Sequence, residues 1–269
     1  ALYDSWSVVY IKADDMSYPY HDDEIEGLHN AIVNSGRPAA LSLSPGATPI
    51  DKIDHLRQNA NLWRISPDFW DDWRFLYRQF ELSKQWQGLY TPGHWPDADM
   101  LPLGKLRKTS PDDYVCDTMG LTKEECTDEY SRFSDIEKKT LMSFWCIQRS
   151  PLMFGGHLPE TDEYTFKLIT TAEALMVNQA SENNHEIYRV NDSIAWAADV
   201  PKSKDKYVAV FNTSDDETFE VSVGWDAIGV TGKCVVRDLW TGQDLGEFPS
   251  MFSAELPPHG SGLYRVSMK

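Results

Sequence analysis

The chain predicts an α/β fold followed by a smaller antiparallel β domain, on three observations. Short apolar runs alternate with stretches of helical periodicity through the first two thirds. From about Asn183 onward only strand-like runs separated by turn residues remain. A length of 269 residues is enough to bury a large core in one unit or two. The division is expected between residues 1–180 and 181–269.

The first run, residues 8–11, is unbroken and made of β-formers, and period-two alternation carried past it puts Lys12 and Asp14 on one face of a strand end. Chemistry carried at the C-terminal tips of strands buried on both faces is the habit of parallel barrels. Helical periodicity over 23–35, 49–58 and 69–85 is separated by strand-like runs at 39–43, 62–65 and 88–90. Residues 107–131 are polar, contain Pro111, Gly120, Cys116 and Cys126, and read as a loop inserted into the βα rhythm. Helices at 134–149 and 162–177 then flank a short run at 152–154. Such a βα alternation gives a parallel sheet covered by helices. In the tail, runs at 194–198, 207–212, 218–223, 234–239 and 262–266 are joined by Gly, Asp, Asn and Pro turns, which is an antiparallel pattern.

Acids outnumber bases by 42 to 25, a net charge of -17. That surface repels nucleic-acid phosphates and anionic lipid, so neither nucleic acid nor membrane is an expected partner. No apolar stretch reaches spanning length. Ten Trp, twelve Tyr and eleven Phe suit sugar-stacking sites and an ordinary core alike. Four cysteines are too few for a disulfide scaffold and form no metal-binding pattern; Cys116 and Cys126 could bridge within their loop, while Cys146 and Cys234 read as buried thiols. No compartment is fixed by the chain, and a periplasmic or secreted setting is favoured.

Lys12 and Asp14, far upstream of Arg64 and Asp68, supply two separated carboxylates and two cations. Read in isolation, Lys12 and Asp14 form an ordinary ion pair, and Asp68 after Pro67 is an N-cap for a helix beginning near Phe69. Asp14, Asp15, Asp22 and Asp23 lack calcium-loop spacing and read as solvated. The histidines lack zinc spacing; His94 reads equally as a sugar contact or a turn residue. Asn191 and Asn212 begin glycosylation acceptor patterns.

Taken in order, Lys12-Ala13-Asp14, Trp63-Arg64 with Asp68, Trp95-Pro96-Asp97-Ala98-Asp99-Met100, Ser150-Pro151-Leu152-Met153, and Arg237-Asp238-Leu239-Trp240 followed by His259-Gly260 resemble the ordered signatures of glycoside hydrolase family 27. That family contains α-galactosidases and α-N-acetylgalactosaminidases. The resemblance implies a partial (β/α)8 TIM-type barrel, strands four to eight, followed by an antiparallel β-sandwich. It implies Asp14 as nucleophile and Asp68 as general acid/base of a retaining exo-glycosidase. Lys12, Ser44, Arg64, Trp95, Asp99 and Met100 would line the sugar pocket. In such a mechanism one carboxylate attacks the anomeric carbon while the other, kept protonated, donates to the leaving oxygen, and the two stand about 5 to 6 Å apart. Neighbouring Lys12 and Arg64 would hold Asp14 ionised. No cofactor or metal is called for. The expected partner is the terminal sugar of an oligosaccharide or glycoconjugate.

Three departures mark this chain. Galactose-specific members place Cys-Glu-Trp where Ser44-Pro45-Gly46 stands, so an N-acetylated sugar, a pentopyranose such as β-L-arabinopyranose, or a glucosyl unit enters alongside galactose. A family cysteine two residues after the nucleophile is Met16. With Asp14 ending the fourth strand, the first three have no counterpart, and the expectation is a C-terminal portion of a longer enzyme. Its open sheet edge would be covered by an N-terminal segment or by a second copy of the chain. The competing reading is a non-catalytic carbohydrate-binding or scaffold portion.

Overall fold

The computed structural model describes residues 5–106, 120 and 129–269. Cys116, Cys126 and most of the expected inserted loop lie outside the described residues. Two compact units result, one formed by Ala1–Phe69 with Arg78–Asp99 and the other by Trp70–Tyr77 with Met100–Lys269.

The first unit is built on a four-stranded parallel sheet in sequential order, β1 (Tyr10–Ala13), β2 (Ala40–Leu43), β3 (Leu62–Arg64) and β4 (Trp95–Asp97). In β2, Leu41, Ser42 and Leu43 are all buried, as are all three residues of β3, the mark of strands covered on both faces. Edge strand β1 alternates between exposed and half-buried positions. Helices α1 (Asp22–Asn34) and α2 (Ile53–Asn59) make the crossovers. The acids Asp22, Asp23 and Glu24 form the first turn of α1, where they complement the helix dipole, and Asp22 pairs with Lys52 at 2.8 Å. Helix α3 (Trp73–Trp86) follows β3.

Three expected elements differ. Residues 88–90 do not form a strand; Leu89 closes a turn on Trp86, and the fourth strand is Trp95–Asp97. The run at 152–154 contributes one parallel bridge, Leu101 to Phe154. Helix α3 begins at Trp73, beyond the expected start at 69, because Asp72 is the residue whose carboxylate accepts the Arg74 backbone N–H at 2.9 Å. Asp68 is therefore not the N-cap.

In the second unit α4 (Asp135–Gln148) starts on a capping box between Ser134 and Glu137 and buries every residue from Thr140 to Ile147. It ends at Arg149 in the left-handed region (φ 61°). After α5 (Glu163–Thr170) comes α6 (Ala172–Ala180), and the Arg149 guanidinium donates to the carbonyls of Asn178, Gln179 and Ser181 at its C-terminal end. A six-stranded antiparallel sheet follows in the order β10-β9-β12-β7-β6-β5. Its strands are β5 (Glu182–Val190), β6 (Ser193–Asp199), β7 (Lys206–Asn212), β9 (Cys234–Asp238), β10 (Gln243–Phe248) and β12 (Ser261–Met268). One face receives Phe144 of α4 against Trp196 and Phe211. The other packs Ala195, Ala197, Val208, Val210, Val236 and Val266 against the two-stranded sheet of β8 (Phe219–Gly224) and β11 (Met251–Leu256), through Val221, Val223, Phe252 and Leu256. This double coverage explains why β6 and β7 are almost wholly buried.

Candidate active site

In a parallel sheet every strand ends on the same edge, and the loops leaving that edge gather their side chains. Asp14 follows β1, Ser44 follows β2, Arg64 closes β3 with Asp68 four residues on, and Asp97 closes β4 with Asp99 two residues on. Asp14 is exposed and accepts a hydrogen bond from the buried Ser44 hydroxyl at 3.0 Å.

Arg64 is the centre of a second group. Only 2 % of its side chain is exposed, and one Nη reaches Asp99 at 2.6 Å and Asp68 at 3.3 Å. Asp99 also accepts the Phe69 backbone N–H at 2.7 Å, which anchors the segment after Asp68. Asp99 sits at φ 85°, an uncommon region for a non-glycine, and the Asp97 carboxylate accepts the Asp99 N–H at 2.9 Å within that turn. Burial pushes the Asp97 pKa up to about 6, against the pull of the Arg64 guanidinium, with Asp99 pushing further and Lys12 pulling down. Buried Gln79 donates to the Ser66 hydroxyl and the Ala98 carbonyl, tying the β3 and β4 loops together.

The loop carrying Ser44 is fixed by close approach. Gly46 donates to the Ser66 carbonyl, Thr48 donates to the Arg64 carbonyl through both N–H and hydroxyl, and a Cβ at Gly46 would stand 2.5 Å from that carbonyl oxygen.

Of the expected pocket residues, Asp14 with Ser44, and Arg64 with Asp68 and Asp99, are brought together in these two groups. Lys12 is exposed on β1, one register short of the tip. Trp95 opens β4 at its other end, level with Leu62, and stacks on Tyr90 with ring centroids 5.2 Å apart. Met100 opens the longer segment of the second unit, where its side chain packs beside Gly155. His94 closes a turn, its backbone paired with Thr91 and its Nδ1 on the Ala60 carbonyl. Asn212 is fully buried with its amide donating to Glu217 and Leu256 carbonyls, so its acceptor pattern is a structural amide; Asn191 is exposed at a turn. Asp97 is the site residue that the motif reading did not single out, although the Asp-x-Asp repeat that exposed Asp99 contained it.

Residues 190–266 match the family described as alpha galactosidase C-terminal beta sandwich domain. Among solved structures, a GH27 β-L-arabinopyranosidase from Geobacillus stearothermophilus is 40% identical with a TM-score of 0.91, over 99% of this chain and 59% of that one. A Bacillus halodurans protein described as a putative α-N-acetylgalactosaminidase is 35% identical with a TM-score of 0.80, over 100% of this chain and 60% of that one. Alpha-galactosidase 2 of Arabidopsis thaliana is 24% identical over 98% of this chain and 61% of its own length. The chain thus spans about three fifths of these three relatives.

Proposed function

We propose, from the premise that this chain belongs with the α-galactosidase-like proteins of glycoside hydrolase family 27, that it carries the chemistry of a retaining exo-glycosidase acting on terminal α-galactoside-type sugars. The observation that carries the reading is the strand-tip assembly on one edge of the sheet, in which a buried Arg64 after β3 joins Asp68 to Asp99 while Asp14, two strands away after β1, is held against Ser44. We read the four parallel strands as a portion of a (β/α)8 barrel, and the break at 180/181 as the start of the sandwich domain.

Asp14 is the proposed nucleophile: its carboxylate attacks the anomeric carbon as Asp68 gives its proton to the leaving oxygen. The glycosyl ester on Asp14 is then cleaved by a water that Asp68, now the base, deprotonates. Atoms balance over the two steps, and configuration is kept by double inversion. Arg64 shares its charge between Asp99 and Asp68, so Asp99 positions the guanidinium and Arg64 positions the acid. Lys12, beside the tip of β1, is a proposed sugar contact.

A second reading of the sugar is favoured by one observation. The 40% identical relative is described as a β-L-arabinopyranosidase, and a variant of it is described in complex with arabinose. L-Arabinopyranose shares the ring hydroxyl configuration of galactose without its exocyclic carbon. With Pro45 where galactose-specific members carry the acid, no side chain at that position separates the two rings.

The test is hydrolysis of aryl α-galactoside, α-N-acetylgalactosaminide, β-L-arabinopyranoside and α-glucoside by this chain, with Asp14→Asn as control. Turnover of a galactoside or arabinopyranoside, lost by 10³-fold or so in the folded variant, is expected on removing a nucleophile. Wild-type-like turnover in Asp14→Asn removes Asp14 from its role, and silence of the folded parent chain overturns the hydrolytic reading for it.

A further inference from the structure

The second unit contains an open groove of about 560 Å³ that the strand-tip chemistry does not use, lined among others by Trp73 and Tyr77 from the first turns of α3, Asp192 from the β5–β6 turn, and Ser214, Asp215 and Asp216 from the β7–β8 loop. Its size is that of a small-ligand site. From the chemistry of this lining we infer that the groove is a separate binding site for a neutral pyranose or short oligosaccharide.

Trp73 and Tyr77 are four residues apart, so both lie on one helix face, and Tyr77 is 46% exposed. Trp73 is set in place by His259, whose ring stacks on the indole with centroids 3.7 Å apart and planes at 15°. The two imidazole nitrogens lie 2.9 Å from Glu137 and 3.0 Å from Asp215, so the same histidine fixes one acid of the opposite wall. Below the surface, Asn212 accepts the Ser214 N–H and donates to two carbonyls, Thr213 is bound to the Asp192 carbonyl, and the Ser214 hydroxyl lies 3.3 Å from Asp216. The walls are therefore formed before any ligand arrives, which lowers the ordering cost of binding.

Charge and shape narrow the ligand. Three carboxylates face a single cation, Arg74, whose guanidinium is held by Asp72 at 2.8 Å, so the lining is net negative and disfavours an anion, and an apolar molecule would strip water from the carboxylates without return. Among the described residues no group of three or more His, Cys, Asp or Glu is arranged to hold a metal ion. A pyranose meets both walls: its C–H face lies against the aromatic rings and its hydroxyls donate to the carboxylates. The site stands apart from hydrolysis, so its success or failure is separable from that of the strand-tip reading.

The experiment uses the chain labelled with ¹⁵N at tryptophan, in an Asp14→Asn background, titrated with methyl α-D-galactopyranoside, L-arabinose and raffinose. The Trp73 indole resonance, assigned by Trp73→Phe, is expected to shift saturably with at least one of them. Tyr77→Ala and Asp192→Asn, both surface changes, are each expected to weaken that binding by about tenfold. In an otherwise unchanged chain the same two variants leave aryl-glycoside hydrolysis as it was. A Trp73 resonance that no sugar moves overturns the inference, as does an equal shift from glycerol at the same concentration, or unchanged affinity in the two variants.

Discussion

At the scale of single residues, the strand-tip group turns on a buried acid. Asp97 has its pKa raised from the ordinary 3.8 to about 6, with burial as the main cause. The folded chain then holds this proton more tightly than the unfolded chain, so the contribution to stability is complete below about pH 4 and is lost as pH rises through about 6. Asp97→Asn keeps an oxygen for the Asp99 N–H and removes the titration. In urea unfolding between pH 4 and 7, the stability of the parent chain relative to the variant is expected to fall by about 3 kcal/mol over that window; parallel curves would show that Asp97 titrates alike in both states. Its neighbourhood was partly legible. Lys12, Asp14, Arg64 and Asp68 are charged residues at or just past the ends of apolar runs, Asp99 is implied by the family resemblance, and four of these five form the hydrogen-bonded groups described above. Asp97 did not stand out, because the reason for its importance is burial at 5 % exposure, a property of the folded sheet. Trp95 illustrates the opposite error: it shares a motif with Asp99, yet two residues of extended chain put it towards the far end of β4.

Elements were legible where their pattern was local. Strands β1, β2 and β3 and helices α1, α2 and α4 stand within a few residues of their expected bounds, since buried runs and amphipathic helices carry their own signal. Strand β5 was hidden by Glu182, Asn183, Asn184, His185 and Glu186, polar residues whose pairing with β6 supplies the order that hydrophobicity does not. Strand β10 is exposed along most of its length and shifts register at Gly246. Strand β11 alternates buried and exposed and could have been found by its period of two. The β2–α2 loop gives a prediction at this scale. Gly46→Ala would bring a Cβ within 2.5 Å of the Arg64 carbonyl and 2.7 Å of that of Ser66, and neither backbone oxygen can swing away. A loss of about 1–3 kcal/mol is expected, read as a lower urea midpoint. An unchanged midpoint would mean that the loop does not hold this approach in solution.

Over the whole chain, the sheet order of the second unit matters more than any single strand. The last strand, β12, is internal: it pairs with β7 on one side and β9 on the other, joining two halves of the six-stranded sheet. It also carries Tyr264 and Val266 into the core between the sheets. Deleting residues 261–269 is therefore expected to cost the cooperative near-ultraviolet transition of this unit, with dye-binding apolar surface in its place. A truncated chain with the parent's transition would rule out β12 as the keystone. The same placement sets a schedule during synthesis on the ribosome. Strands β5, β6 and β7 can form a meander as they emerge, but β7 must keep one edge unpaired, and β9 must wait beside β10, until the residues of β12 are free to enter between them. The interval between the emergence of β7 and the release of β12 is when this chain is most exposed to edge-to-edge association, so translation speed and chaperone supply would govern its yield more than its final stability does.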